Sequence, residues 1–250
     1  MTVHACFEQG PIRPPSEARS LLIRPTRNCP WNKCAFCHTY KGSRFEFRPV
    51  EEIKQDIDAV RALADAVGEL SWKLGQGGRV NDTVVSWIFG NEGSFSDPFR
   101  HVAAWLYFGG KTVFLQDADT LIMKTDDLVE VLNHLRDRFP GIERITSYCR
   151  SRTAAHKSVE DLRRIRKAGL VRIHVGLESG CDEVLRFIRK GATAEEHVKG
   201  GRRIVEAGIS LCEYVMPGLG GSRWSREHAV GTARVLSEIN PDHIRLRTLS

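Results

Sequence analysis

Apolar residues along this chain fall into two alternating spacings. Short runs at "SLLI" (20–23), "TVFL" (112–115), "RITSYC" (144–149), "VRIHVGLESG" (171–180), "ISLCEYV" (209–215) and "DHIRLRT" (242–248) read as strands. Between them, apolar positions recur every three or four residues. Val50, Ile53, Ile57, Val60, Ala64 and Val67 form one stripe of a helix over 48–67. Leu128, Val131, Leu132, Leu135 and Phe139 form another over 125–139, ended by Pro140. Ser158 caps and Gly169 stops a third, Thr193 with Glu196 makes a capping box for a fourth, and 225–239 is a fifth.

Strand and helix thus alternate about six times, the pattern of a parallel sheet with helices outside it. Residues 164–180 and 203–221 repeat one unit: helix, Ala-Gly, strand, Gly-containing loop. A repeated unit favours an α/β fold of the partial (β/α)6, TIM-like barrel kind over an open two-layer sheet. Function in such a fold sits at the C-terminal strand ends. Residues 1–17 read as an N-terminal extension and 18–250 as one barrel. Segment 68–110, between the first helix and second strand, is too long for a plain connection. It is expected to hold helices near 82–89 and 97–108, as a structural lobe, a substrate lid or a subunit contact.

Composition narrows the setting. The chain has 250 residues, 41% hydrophobic, enough for one large core. It has no apolar run long enough to span a bilayer, and its start lacks a signal-peptide core. A cytoplasmic location is expected, where clustered cysteines bind metal or do redox work. The net charge of +6 allows a polyanionic partner. Acidic residues are interspersed along the sequence, however, so charge alone reads as a solvated basic surface.

Three of the seven cysteines lie within "CPWNKCAFCH" at 29–38. Zinc needs four ligands, and Cys29, Cys34, Cys37 and His38 are candidates, although His38 abuts Cys37. The remaining cysteines offer no second pair. Three thiolates without a fourth suit a [4Fe–4S] cluster with one open iron. Cys149, Cys181 and Cys212 read as small core residues, and His174 and His243 as core histidines with their hydrogen bonds satisfied.

"NCPWNKCAFCHTYKG" after a first strand, followed by the sixfold alternation, resembles the radical S-adenosylmethionine (radical SAM) superfamily over residues 18–250. The resemblance implies a [4Fe–4S] cluster held by Cys29, Cys34 and Cys37. It also implies S-adenosylmethionine chelated by the fourth iron and cleaved to a 5′-deoxyadenosyl radical that abstracts hydrogen from a substrate. An electron donor such as flavodoxin or ferredoxin follows. The spacing C-x4-C-x2-C departs from the commonest pattern, while Phe36 keeps the usual aromatic before the last cysteine. In place of the family's Gly-Gly-Glu loop stands "LQDADT", so Gln116, Asp117 and Asp119 are the expected acceptors for the methionine ammonium. By the same resemblance Glu178 faces the cofactor, Lys190 reaches its carboxylate, and Met216 approaches the adenine. Tyr148, Arg150 and Arg152 are expected near the mouth. The alternative is a non-enzymatic zinc module whose basic surface engages RNA. The 250 residues contain neither a cobalamin-binding domain nor a second cysteine cluster, which argues against sulfur insertion. The final "RTLS" fits a chain cut from a longer protein or a minimally closed barrel.

Overall fold

In the computed structural model, which describes residues 5–91 and 93–248, six strands form one parallel sheet. They are β1 (Leu21–Ile23), β2 (Thr112–Leu115), β3 (Arg144–Cys149), β4 (Leu170–Glu178), β5 (Ser210–Val215) and β6 (His243–Leu246). Each pairs in parallel with the next, and β1 and β6 remain the two edges. The result is an open, partial barrel, as the alternation predicts. Strand periodicity of two sorts the side chains. Leu21, Ile23, Val113, Leu115, Ile145, Ile173, Val175 and Leu211 join the main core beneath the helices. Phe114, Tyr148, His174 and Tyr214 meet one another in the alternate register, with ring centroids 5.1–6.4 Å apart.

The helices are α1 (Val50–Lys73), α2 (Asp82–Gly90), α3 (Asp97–Tyr107), α4 (Thr125–Arg138), α5 (Ser151–His156), α6 (Val159–Ala168), α7 (Asp182–Phe187), α8 (Ala194–Glu206) and α9 (Ser225–Ile239). The side chain of Ser158 accepts from the Asp161 amide at the start of α6, and Gly169 ends that helix at φ 126°. Both halves of the capping box are formed at α8. Helix α1 runs six residues beyond the expected 67, because Ser71 is buried and its hydroxyl donates to the Arg79 carbonyl. Segment 68–110 supplies α2 and α3. Trp105 is buried there and donates from Nε1 to the Thr112 carbonyl, while Trp72 and Trp87 are exposed.

Two histidine expectations change. His243 is exposed, because β6 is an edge strand with Ile244 and Leu246 also exposed. His174 is buried, yet neither ring nitrogen has a hydrogen-bond partner. Burial and the nearby Arg172, Arg245 and Arg144 push its pKa down to about 3, so the imidazole is neutral. Cys149, Cys181 and Cys212 are buried, as expected.

Candidate cluster and cofactor site

The cysteine loop runs from 28 to 45 between two short strands, Thr26–Arg27 and Glu46–Phe47, which pair as an antiparallel ribbon. The ribbon brings the loop's ends together beside the C-terminal end of β1. Asn28 and Asn32 take left-handed backbone conformations, φ 69° and 48°, which asparagine tolerates well. The Asn32 side chain donates to the Tyr40 and Ser43 carbonyls and its amide to Cys29 Sγ, so one residue folds the loop back on itself.

Asp117 anchors this loop to the sheet. It is fully buried, at φ 68° just past β2. One oxygen accepts from Arg24 Nε and the Asn28 amide, both at 2.7 Å, and the other from the Tyr40 hydroxyl at 2.9 Å. Burial and the Asp117 carboxylate raise the Tyr40 pKa, so its hydroxyl stays protonated and donates. Arg24 reaches on to Glu8 at 2.7 Å and to Asn28 Oδ1. Gln116 is buried too, exchanging hydrogen bonds with Gly10 and donating to the Ile12 carbonyl. Asp119 accepts from the Arg150 amide and, at 2.5 Å, from Thr153 Oγ1 on α5; burial pushes its pKa up to about 6. All three residues of "LQDADT" thus lie at the end of β2 with their polar groups engaged by protein.

The second wall comes from residues 188–191, after α7. The Ile188 carbonyl accepts from the Ala35 amide at 2.8 Å, and the Arg189 carbonyl from Trp31 Nε1 at 2.7 Å. Cys34 Sγ stands 4.0 Å from the Lys190 carbonyl. Arg150 donates to the Lys190 and Gly191 carbonyls and lies 5.3 Å from the Trp31 ring centroid. Gly191 is at φ 68°, and a Cβ there would enter the Trp31 ring. Gly191→Ala is therefore expected to part the two loops, at about 1–3 kcal/mol. A lower thermal midpoint with faster loss of iron to a chelator is the expected readout; an unchanged protein would show that the docking is dispensable.

Lys190 Nζ pairs with Glu178 Oε1 at 3.0 Å, both largely buried, and lies 5.7 Å from the Phe36 ring centroid. Gly176 leaves the room for that pair, since a Cβ there would strike the carboxylate and the ammonium. Glu178 is at φ 62°, and its turn is pinned to α9: the Gly180 amide donates to Thr232 Oγ1, Ser179 Oγ bonds His228 Nδ1, and Gly180 touches the backbone of Gly231. Met216, after β5, packs with Leu185, Ile188, Leu219 and Phe36 into a small apolar cluster separate from the main core. Lys190, Phe36, Met216 and Arg150 therefore surround one mouth, with Cys34 at its edge. Arg152 turns aside on α5, paired with Glu196.

The thiols suit a cluster. Cys29, Cys34 and Cys37 are free and half-buried on one loop. Burial raises the Cys34 pKa, Lys190 and Arg150 oppose that rise, and Cys29 and Cys37 are close enough to reinforce it. Among the described residues, no three His, Cys, Asp or Glu side chains converge on a single metal ion. Three thiols that each hold a different iron stand wider than the ligands of one zinc. His38 is exposed. Tyr40, Arg24, Asn28, Trp31 and Gly191 were not singled out from sequence. Only the positions of Asn28, Trp31 and Tyr40 inside the cysteine motif offered any hint of them.

The sequence model of the Radical SAM superfamily matches residues 87–232, more than half of the chain. The chain belongs to that superfamily, whose cofactors are a [4Fe–4S] cluster and S-adenosylmethionine. Among solved structures it is similar to coproporphyrinogen III oxidase (HemN) of Escherichia coli, with a TM-score of 0.57 and 17% identity over 92% of this chain and 44% of the other. It is likewise similar to the radical S-adenosylmethionine methyltransferase TsrM of Kitasatospora setae, solved with cobalamin and a [4Fe–4S] cluster, with a TM-score of 0.56 and 14% identity over 92% and 36%. At such identities the likeness is one of fold. A tRNA uridine(34) acetyltransferase of Methanocaldococcus jannaschii is 27% identical over 63 residues, 25% of this chain and 12% of that protein. The chain thus spans under half of these two solved structures, and the matched stretch is a small part of the curated relative. Among the described residues no helix is long and apolar enough to cross a membrane.

Proposed function

We propose that this chain is a radical SAM enzyme in which Cys29, Cys34 and Cys37 hold three irons of a [4Fe–4S] cluster. The observation that carries this reading is the double clamp on the cysteine loop, by Asp117 on one side and residues 188–191 on the other. It leaves three half-buried thiols beside a cationic, partly apolar mouth. When bound, the reduced cluster supplies the electron that cleaves S-adenosylmethionine to methionine and a 5′-deoxyadenosyl radical.

The protein's own residues do the holding. Lys190 offers an ammonium to a carboxylate, with Glu178 keeping it in place and accepting from a cationic amine. Phe36 and Met216 offer apolar surface to an aromatic ring and exclude water. Arg150 fixes the carbonyls of residues 190 and 191. Asp117 serves this site as the anchor of its loop, and Asp119 as the anchor of α5. The ammonium acceptor then falls to Glu178 and to backbone carbonyls at the strand ends. The barrel of residues 18–250, with 68–110 as a lateral lobe, is the unit that works, and flavodoxin or ferredoxin is the class of electron donor it needs.

The test needs no knowledge of the substrate. Anaerobically reconstituted protein, given dithionite and S-adenosylmethionine, is expected to release 5′-deoxyadenosine slowly. Lys190→Ala is expected to keep its iron and release less. A brown, fully loaded wild-type protein that forms S-adenosylhomocysteine alone, or no product at all, would overturn the reading.

A further inference from the structure

Acidic and basic residues are interspersed along the sequence, but the fold brings a group of the cations to one end of the barrel. Residues 29–44, 148–153 and 216–226 lie at or beyond the C-terminal ends of strands, 186–191 end α7 and dock on the cysteine loop, and 243–248 are β6 with the two residues after it. Together they hold twelve Lys and Arg and no Asp or Glu, which leaves the rest of the chain with more acids than bases. Acids also stand at this end of the barrel, most of them engaged: Asp117 and Glu8 by Arg24, Asp119 by Thr153, Glu178 by Lys190, Glu183 by Arg186 and Glu196 by Arg152. A cluster on three thiolates and S-adenosylmethionine nearly cancel each other in charge, so the cofactors leave most of this positive field unanswered.

Aromatic rings stand among these cations. Lys33 lies 5.0 Å from the Trp31 ring centroid, with Arg150 on the same indole. Against the apolar cluster of Met216 and Leu219, Arg223 lies 4.4 Å from the Trp224 ring centroid, and Phe187, largely exposed, stands 5.2 Å from that ring. Arg226 is exposed just beyond. Cations that track a phosphate backbone, interleaved with rings on which bases stack, are the chemistry of single-stranded nucleic-acid binding. A small anion needs two or three such cations in a pocket; a field spread over five segments matches a polyanion longer than the mouth is wide.

We propose that the substrate is a nucleic acid, bound across the rim through phosphates and two stacking platforms, Trp31 and Trp224, so that one nucleotide enters the barrel. This rests on the reading of that face as the catalytic mouth.

Binding is measured without S-adenosylmethionine or reductant, so it stands or falls apart from cofactor cleavage. The probes are fluorescein-labelled single-stranded RNA and DNA of one sequence, about 20 nucleotides long, followed by anisotropy across a salt series. Wild-type protein is expected to bind, with affinity falling steeply as salt rises. The pair Arg223→Glu and Arg226→Glu is expected to weaken binding about tenfold or more and to lower the salt slope by about two. Trp224→Ala is expected to weaken binding about tenfold with the slope unchanged. Arg163→Glu with Arg202→Glu, on the outer helices, is expected to change neither. Stronger binding of one oligonucleotide decides between RNA and DNA. No binding at about 50 mM salt, binding unmoved by the rim variants, or equal competition by polyglutamate would overturn the proposal.

Discussion

Alanine at Cys34 is expected to leave a folded, colourless protein that carries no iron and forms no 5′-deoxyadenosine. The same result is expected at Cys29 and at Cys37, because each thiolate seats one iron of a cluster that needs all three. The loop does not depend on these thiols for its shape. Its fold is set by Asn32, Tyr40 and Asp117, and among the described residues the bonds to these sulfurs are weak ones, at 3.4 and 4.0 Å. Cys6→Ala, at an exposed position, and Cys212→Ala, on β5, are expected to retain full iron content. Iron and sulfide analysis after anaerobic reconstitution reads the outcome directly. Loss of iron in the Cys6 variant as complete as in the Cys34 variant would undo the three-cysteine assignment.

The second large effect belongs to Asp117→Ala. Removing that fully buried carboxylate leaves the Asn28 amide and the Tyr40 hydroxyl without their acceptor and the Arg24 guanidinium with Glu8 and Asn28 alone. Breaking a buried, hydrogen-bonded ion pair from one side costs about 3–5 kcal/mol. A fall of several degrees in thermal midpoint is expected even before iron is added, followed by poor cluster retention. Asp117→Asn keeps the shape and one acceptor, so a smaller loss is expected. If Asp117 instead bound the methionine ammonium, alanine would weaken cofactor affinity roughly ten- to hundredfold at unchanged stability and iron content. The two outcomes separate cleanly in a melting curve paired with a binding titration.

Much of the fold was legible because each strand and long helix carried its own local signal. Residues 112–115 and 144–149 form strands over the expected spans, and the caps at Ser158 and Thr193 are formed as their side chains predict. Helix α5 was not legible. Six residues are too short to show a period, and it starts two residues after β3 ends. The spacing of the three cysteines was enough to propose them as a ligand set. What Asp117 does was not, since its partners lie at positions 24, 28 and 40, and only folding brings them to it. The same holds for charge: twelve cations look dispersed in a linear sequence, and the topology brings most of them to the loops at one end of the barrel. His174 shows the converse, an apolar-strand histidine that is buried with neither nitrogen satisfied.

The close contact between Gly180 and Gly231 couples α9 to the turn that carries Glu178. No side chain cushions the two backbones there, and Thr232 and His228 tie the same turn on either side. A ligand that draws on Glu178 must either leave this turn unmoved or transmit its shift into the helix. Amide hydrogen exchange around residues 228–232 would then slow or quicken with the ligation state of a carboxylate on another element. The helix carries no group in the chemistry, yet it would report on the site's occupancy.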